Sequence, residues 1–573
     1  MSSPFVRLGL LVLQVSAVTS AHAASLALVN GNVHTGSERQ PHAEAILATD
    51  GRIVFIGNTA EARQRAPRDV QLIDLHGATV LPGLTDAHAH LSGIGLRELE
   101  FDLEGTTSLV DLQARLRQRA ATAKPGEWIF GRGWIESRWS PPAFPSRADL
   151  DAVVADRPVV LERADGHAVI ANSRALRLAG IDAKTADPAG GQILKDTRGE
   201  PTGMLIDRAA DLVTSLIPPR SEAEQLRALE VGADRSVRVG WTQLQIAGNS
   251  LAEVEQLCDL YAGGRLKLRI YDAVGGPGTD AEQLIMRGPS GIQCSERLVV
   301  RSIKLYIDGA LGSRGAALLA PYSDAPASSG LLVNREEELY PLLTSALRKG
   351  IQIETHAIGD RGNRLMLDLY ERAFAAVPVR HRAVADPRWR IEHAQVLHAE
   401  DVPRFGKLGV IASMQPSHAI SDLYFAPSRL GPGRVAGAYA WRSVLDAGAI
   451  IAGGSDAPVE RGEPMIEFYA AIERRSLDGF ASDDWHREQR VSRAEALKMF
   501  TIWPAHAAFQ EKDRGSIEVG KLADFTVLSA DVMQIPAAEI LETRVLMTII
   551  GGEVAYREKP PSQPSPGGAG GMR

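Results

Sequence analysis

In the segment LPGLTDAHAHL, Asp86, His88 and His90 are spaced by two residues behind an apolar run. Successive side chains of a β-strand point to opposite faces, so this spacing gathers a carboxylate and two imidazoles on one side. Two imidazoles so placed can hold a metal ion from a single strand end. Taken alone, H-x-H is equally a pair of surface histidines on a loop.

Further polar residues close later apolar runs. In VRSIKLYIDG, Ile303, Leu305 and Ile307 share one face and Ser302, Lys304, Tyr306 and Asp308 the other. A closed lumen accepts Lys304 only if its charge is neutralised or engaged; snorkelling to solvent and pairing with Asp308 are the alternatives. His356 ends IQIETH, His393 lies in WRIEHAQ, and Asp456 follows IIAGGS. Singly, each suits a satisfied core histidine or a capping aspartate. In this order, each at a strand end, they read as one set.

The elements that must position them alternate between short apolar strands and helical patterns, as in LVVRSIKLYIDG, then EEELYPLLTSALRKG, then IQIETHAIG. Strand-then-helix repetition builds parallel strands and, at this length, favours a (β/α)8 TIM-type barrel with its chemistry at the C-terminal rim. Residues 82–510 exceed the ~250 typical of such a barrel, so a large insertion is expected at about 99–217. Short alternating strands at 24–81 and 511–557 predict a β-sandwich assembled from both termini. Asn30-Gly31, Asp50-Gly51 and Gly551-Gly552 read as its tight turns. Residues 558–573, rich in Pro, Gly and Ser, read as a disordered tail.

A chain of 573 residues needs more than one structural unit, because single cores stop growing near ~250–300. With 63 basic against 70 acidic residues, net charge −7, it is no nucleic-acid clamp, and 5% aromatic content offers no base-stacking surface. Two cysteines cannot make a structural zinc knuckle. Cys258 shares a helical face with Leu251, Val254 and Leu257 and reads as a small buried apolar side chain, and 36 residues of separation from Cys294 fix no geometry for a disulfide. Arg7, an apolar run from Leu8 to Val18 and then Ala21-His22-Ala23 have the order of a secretory signal peptide, residues 1–23, which implies a periplasmic or secreted protein. The run is too short to span a bilayer.

The ordered set His88-x-His90, Lys304, His356, His393, Asp456, with GSIEVGKLADFTVL near the C-terminus, resembles the amidohydrolase superfamily. GRGW, DGHAVIANSRAL, KLYIDGALGSR, HAIGDRGN, EHAQ and SMQPSHA look like its YtcJ-like branch, which includes N-substituted formamide deformylases. The resemblance covers nearly the whole mature chain. It implies two divalent metal ions, usually Zn2+: His88, His90 and Asp456 on one, His356 and His393 on the other, and Lys304 bridging them after N6-carboxylation. An ammonium beside two dications is strongly disfavoured, whereas a carbamate lowers the positive charge. The resemblance further implies Asp456 as general base on the attacking water and proton donor to the leaving nitrogen.

Outside that set, His167, Asn172, His418 and Asp422 resemble positions near the family's pocket. Asn172 also suits a helix N-cap. His418, behind VIASMQ, suits a transition-state or substrate contact. Arg314 could meet a substrate carboxylate or form a structural salt bridge. Trp128, Trp134 and Trp139 could line a pocket or fill a core. In VGWTQLQIAGNS, Gln243, Gln245 and Asn249 replace the acidic or histidine strand end of many relatives, and Gly248-Asn249 reads as a turn. The expected activity is metal-dependent hydrolysis of an amide-type C–N bond in a small molecule. A deaminase or esterase using the same centre, and a non-catalytic periplasmic ligand-binding barrel, are the alternatives. Neither nucleic acid nor, after signal cleavage, a membrane is an expected partner; a homo-oligomer is left open.

Overall fold

The computed structural model describes residues 25–124, 126–289, 294–481 and 485–559, so the expected signal segment and residues 560–573 of the tail lie outside the described residues. Its centre is one eight-stranded parallel sheet: β1 (Leu84–Ala89), β2 (Trp241–Asn249), β3 (Arg269–Gly275), β4 (Leu298–Tyr306), β5 (Gln352–Ala357), β6 (Arg390–His393), β7 (Ile411–Met414) and β8 (Ile451–Gly453), each paired to the next. Past the end of β8 the chain returns to β1: Asp456 N–H donates to His88 C=O at 2.7 Å, and Ala457 bridges Ala89. The sheet is thereby a nearly closed (β/α)8 barrel. Its strands present apolar side chains outward, where Ile303 and Leu305 of β4 share a core with Leu339, Leu343 and Ala346 of helix α1 (Glu336–Lys349). That helix carries Glu336–Glu338 in its first turn and Arg348 and Lys349 in its last, as the helix dipole favours. Among the described residues, no helix is long and apolar enough to cross a membrane.

Two further sheets sit at one end. One has the order Arg52–Gly57, Ala45–Thr49, Leu26–Val29, Gln71–Asp74; the other runs Glu553–Arg557, Val545–Ile550, Phe525–Leu528, Thr79–Pro82, Asn32–His34, His42–Ala43. Leu26, Leu28 and Ile46 of the first pack with Val80, Phe525, Val527 and Ile549 of the second, so both ends of the chain fill one core. Asp50-Gly51 and Gly551-Gly552 are tight hairpin turns with both residues at positive φ. Asn30-Gly31 is not a hairpin: Leu26–Val29 and Asn32–His34 belong to different sheets, so the chain crosses the sandwich there. Only Gly83 separates the sandwich from β1, and a Cβ there would meet Thr242 Oγ1 at 2.5 Å.

A buried ion pair also joins these units. Asp524 accepts from Arg269 of β3 at 2.8 and 3.1 Å and from Gly551 N at 2.8 Å. Burial raises its pKa, but Arg269 and Arg514 outweigh that and hold it below the ordinary carboxylate value. Its contribution is therefore complete at neutral pH and is lost as pH falls toward the folded pKa. Asp524→Asn should cost about 3 kcal/mol at pH 7 by urea unfolding, with the difference from wild type shrinking in strong acid.

Between β1 and β2 the chain forms a six-stranded sheet, ordered Gly191–Lys195, Pro201–Asp207, Ala168–Ala171, Val159–Arg163, Ile129–Trp134, Phe101–Asp102. Leu103, Leu116, Trp134 and Leu161 fill a core on one face, and Val160, Leu176, Leu205 and Val213 another. Gly248-Asn249 makes no turn: β2 runs through it with a register shift, at Gly248 φ 104°.

Cys258 is not a free apolar side chain, because it forms a disulfide with Cys294. Only half-buried, it leaves the helix face formed by Leu251, Val254 and Leu257 able to pack while its sulfur bonds outward. Closing this loop restricts the unfolded chain by about 4 kcal/mol in the chain-entropy model. A Cys258→Ala/Cys294→Ala protein should lose stability on that order in chemical unfolding.

Candidate functional site

The sequence-expected residues come from the carboxyl ends of separate strands. His88 is on β1 and His90 just beyond it; Lys304 is on β4, His356 on β5, His393 on β6; His418 opens the helix Pro416–Ser421 after β7; Asp456 follows β8. Strict alternation on β6 would aim His393 away from Arg390 and Glu392. Instead His393 and Ala394 have φ of 73° and 42°, and Asp456 has 58°, backbone strain that L residues adopt where surrounding structure enforces it. A clamp holds the last loop: Asp86 accepts from Ser455 N at 2.8 Å and Ser455 Oγ at 2.5 Å. Burial pushes Asp86 up to about 7 against those hydrogen bonds. Asp86 thus shares the face of His88 but positions the Asp456 loop.

Asp456 is the hub. Its Oδ1 lies 3.1 Å from His90 Nε2 and 3.5 Å from His88 Nε2; its Oδ2 lies 3.6 Å from His418 Nε2 and 3.9 Å from His393 Nδ1. Two donor groups form, His88/His90/Asp456 and His393/His418/Asp456, each with its atoms within 4.8 Å of one another. His356 stands outside both groups, its ring centroid 4.6 Å from that of His393. Lys304 Nζ is 3.3 Å from His88 Nε2 and 4.6 Å from the centre of the Tyr306 ring. No carboxylate of the described residues pairs with it; Asp308 instead accepts from Ala317, Ile358 and Gly359 backbone N–H groups at 2.8–3.0 Å.

Electrostatics suit cation binding. Burial drives His88 down to about 4 and His356 and His393 well below the ordinary value, so these imidazoles are neutral. Burial works to raise Asp456, but His88, His90 and His393 around it outweigh that, so it is a carboxylate. Asp456 Oδ1 and His418 Nε2 are buried without a hydrogen-bond partner, two atoms that a cation would satisfy. The donor set therefore fits divalent metal.

The supporting charges beneath were not foreseen. Glu392 bonds His88 Nδ1, which leaves Nε2 to face the site. Arg390 donates to Glu392 at 2.8 Å, Glu354 at 3.1 Å and Ala87 C=O at 2.9 Å, and also to Gln245. Burial pushes Glu354 up to about 7, whereas Arg390 and His88 overcome burial and hold Glu392 low. Gln245 also bonds Pro504 C=O, so it serves this interior layer, whereas Gln243 donates to Gln510 at 2.8 Å and Asn249 to Asp272 at 2.9 Å. Period-two spacing of Arg390 and Glu392 was a legible signal.

His167 lines the cavity beside His356, with centroids 5.0 Å apart. Its Nδ1 bonds Asp207 Oδ1 at 2.6 Å, and this partner, with nearby Asp165, overcomes burial to raise His167 to about 9. Asp422 also lines the cavity, accepting from Gln395 at 2.7 Å and Tyr439 at 2.5 Å. Two expected substrate contacts lie elsewhere. Trp134 is fully buried in the insertion, its Nε1 donating to Leu161 C=O at 3.0 Å, and Arg314 is an ion pair with Asp324 at 2.9 Å. Trp139 likewise donates to Thr106 C=O, and Asn172 caps its helix by accepting from Ala175 N at 2.9 Å.

The profile described as "Amidohydrolase family" matches residues 71–556. The chain is 30% identical to the N-substituted formamide deformylase of Arthrobacter pascens over 93% of its own length and 98% of that protein's. It is 34% identical to Protein LONG AFTER FAR-RED 3 of Arabidopsis thaliana, covering 93% and 92%. Among solved structures, an uncharacterized metal-dependent hydrolase from Pyrococcus horikoshii OT3 superposes with TM-score 0.71 at 25% identity, covering 90% of this chain and 99% of that one.

Proposed function

This chain belongs to the amidohydrolase family, and from that premise we propose that it hydrolyses an amide-type C–N bond of a small molecule at the Asp456 cluster. The observation that carries the reading is a single carboxylate shared between two groups of imidazoles, at the open end of the barrel. Divalent ions, with Zn2+ the default for imidazole ligands, would supply Lewis acidity toward the substrate carbonyl and a water of lowered pKa.

His88, His90, His393 and Asp456, with His356 or His418, would hold these ions. Lys304, buried and without a carboxylate partner, would join them as its N6-carbamate, which removes the ammonium charge. Asp456 takes the proton of the attacking water on a carboxylate oxygen and delivers it to the leaving nitrogen, so that the amine departs neutral. Where His356 completes the ligand set, His418, whose Nε2 lies 3.6 Å from Asp456 Oδ2, would be the group that meets the substrate. Glu392 and Gln415 hold the rings of His88 and His393 through their Nδ1 atoms, the latter at 2.8 Å. We also place the mature protein outside the cytosol, a reading that the order of residues 1–23 and the Cys258–Cys294 disulfide support.

Chelation should abolish turnover of a panel of N-acyl and N-formyl amides, and Zn2+ should restore it. Lys304→Ala should lower bound metal at least tenfold at limiting Zn2+, measured by elemental analysis. Full activity of metal-free protein, or unchanged occupancy in Lys304→Ala, would overturn the assignment.

A further inference from the structure

The Asp456 cluster opens in two directions. One arm, about 470 Å³, rises past His356 and His418 between Ile135, Leu311, Phe425 and Leu477. The other, about 380 Å³, starts at His88, His90 and Lys304 and runs between Leu96, Phe130, Tyr306 and Pro458. It leads on through Glu100 and Arg220 to an outer cavity of about 1250 Å³. His356, His393, Asp456 and His167 line both arms, so the arms meet where bond breaking would occur. Each arm is large enough for a ligand group of drug-fragment size.

The waist between them is rigid. His167 is held by Asp207, which sits at φ 47°, and its carboxylate occupies space that two glycines leave: a Cβ on Gly309 or Gly315 would lie 2.3 or 2.5 Å from Asp207 Oδ2. A strained aspartate, two conforming glycines and a short hydrogen bond fix the ring that both arms share.

The first arm is selective in charge. Its cavity carries Glu104, Asp422 and Glu460 and shares Asp165 with the second arm, while both of its guanidiniums are engaged, Arg163 by Glu136 at 2.9 Å and by Asp165, and Arg461 by Glu104 at 3.4 Å. A substrate carboxylate entering there would face these acids and, among the described residues, cations already paired: Arg163, Arg461, and His167 on Asp207.

We propose that the substrate is an amide substituted on both sides of the scissile bond, one substituent per arm, and that the substituent in the first arm is apolar and not anionic. This deepens the C–N hydrolase reading and rests on it. An amide whose acyl carbon or nitrogen bears little beyond hydrogen leaves one arm to water and forgoes about fourfold in affinity per unburied methylene.

The test is calorimetry on Asp456→Asn protein, in which chemistry is stopped and whose Zn2+ occupancy is first matched to wild type by elemental analysis, with N-benzylhexanamide, N-benzylformamide, N-methylhexanamide and carboxylate-ended versions of each substituent. The two-sided amide should bind at least tenfold tighter than either one-sided compound. A carboxylate should be rejected on one side only. Leu477→Ala and Leu96→Ala should each weaken the contribution of a different substituent, with Leu477→Ala acting on the side that rejects the carboxylate. Equal affinity of a one-sided amide, tolerance of carboxylate on both sides, or both variants acting on the same substituent would overturn the proposal. Turnover by wild type of the same amides and their matched esters separates the two claims: hydrolysis of esters alone removes the C–N reading, while the binding pattern still decides the two arms.

Discussion

Asp456→Asn will lower kcat by about 10³–10⁴-fold while leaving the melting temperature within a few degrees of wild type. The carboxylate lies 3.1 Å from His90 and 3.6 Å from His418, and the surrounding imidazoles keep it ionised. A carboxamide has nearly the same shape but cannot accept the proton of the attacking water, so chemistry should stop before structure does. The fold does not depend on its charge, because the loop is held by Asp86 with Ser455 and by the backbone bond from Asp456 N to His88 C=O. Steady-state kinetics beside thermal unfolding checks this; retention of more than a tenth of wild-type kcat would remove Asp456 from proton transfer.

Arg390→Met will cost about 5 kcal/mol, enough to leave much of the protein insoluble. Arg390 is fully buried in the lumen, where it binds Glu354, Glu392, Gln245 and the Ala87 carbonyl from four strands. An apolar replacement of similar length leaves two buried carboxylates without their cation. Arg390→Lys keeps the charge but offers a point donor in place of a planar fork, so it should fall between the two. Urea unfolding measures the loss; an unchanged midpoint in Arg390→Met would show that the interior charge layer contributes nothing.

Much of the rim was legible because strand chemistry repeats every two residues and barrel strands end in short apolar runs. His88 and His90, His356, His393 and Asp456 each close such a run; the structure gathers His88, His90 and His393 around Asp456 and leaves His356 beside His393, outside both donor groups. Arg314 and Trp134 show where that reasoning ends. Each lies in a segment that borders the site, but an acidic neighbour from the same loop, Asp324, and a sheet carbonyl at Leu161 claim their polar atoms instead. Cys258 was misread because a helical face reports burial and says nothing of what approaches its edge. Asp207 left no signal, since a positive φ at a non-glycine residue has no spacing to betray it.

By itself, the order of residues determined the barrel, the strand-rich character of both ends of the chain and the kinds of side chain at the rim, because local periodicity and turn chemistry are properties of neighbours in the chain. Only the tertiary structure decided which charges support the rim from below, that Asp456 is shared between two imidazole groups, and that the cleft has two arms with a fixed waist. Those are contacts between residues distant in the chain, 304 positions for His88 with Glu392 and 40 for His167 with Asp207, and their geometry is set by how strands and an inserted sheet pack against one another.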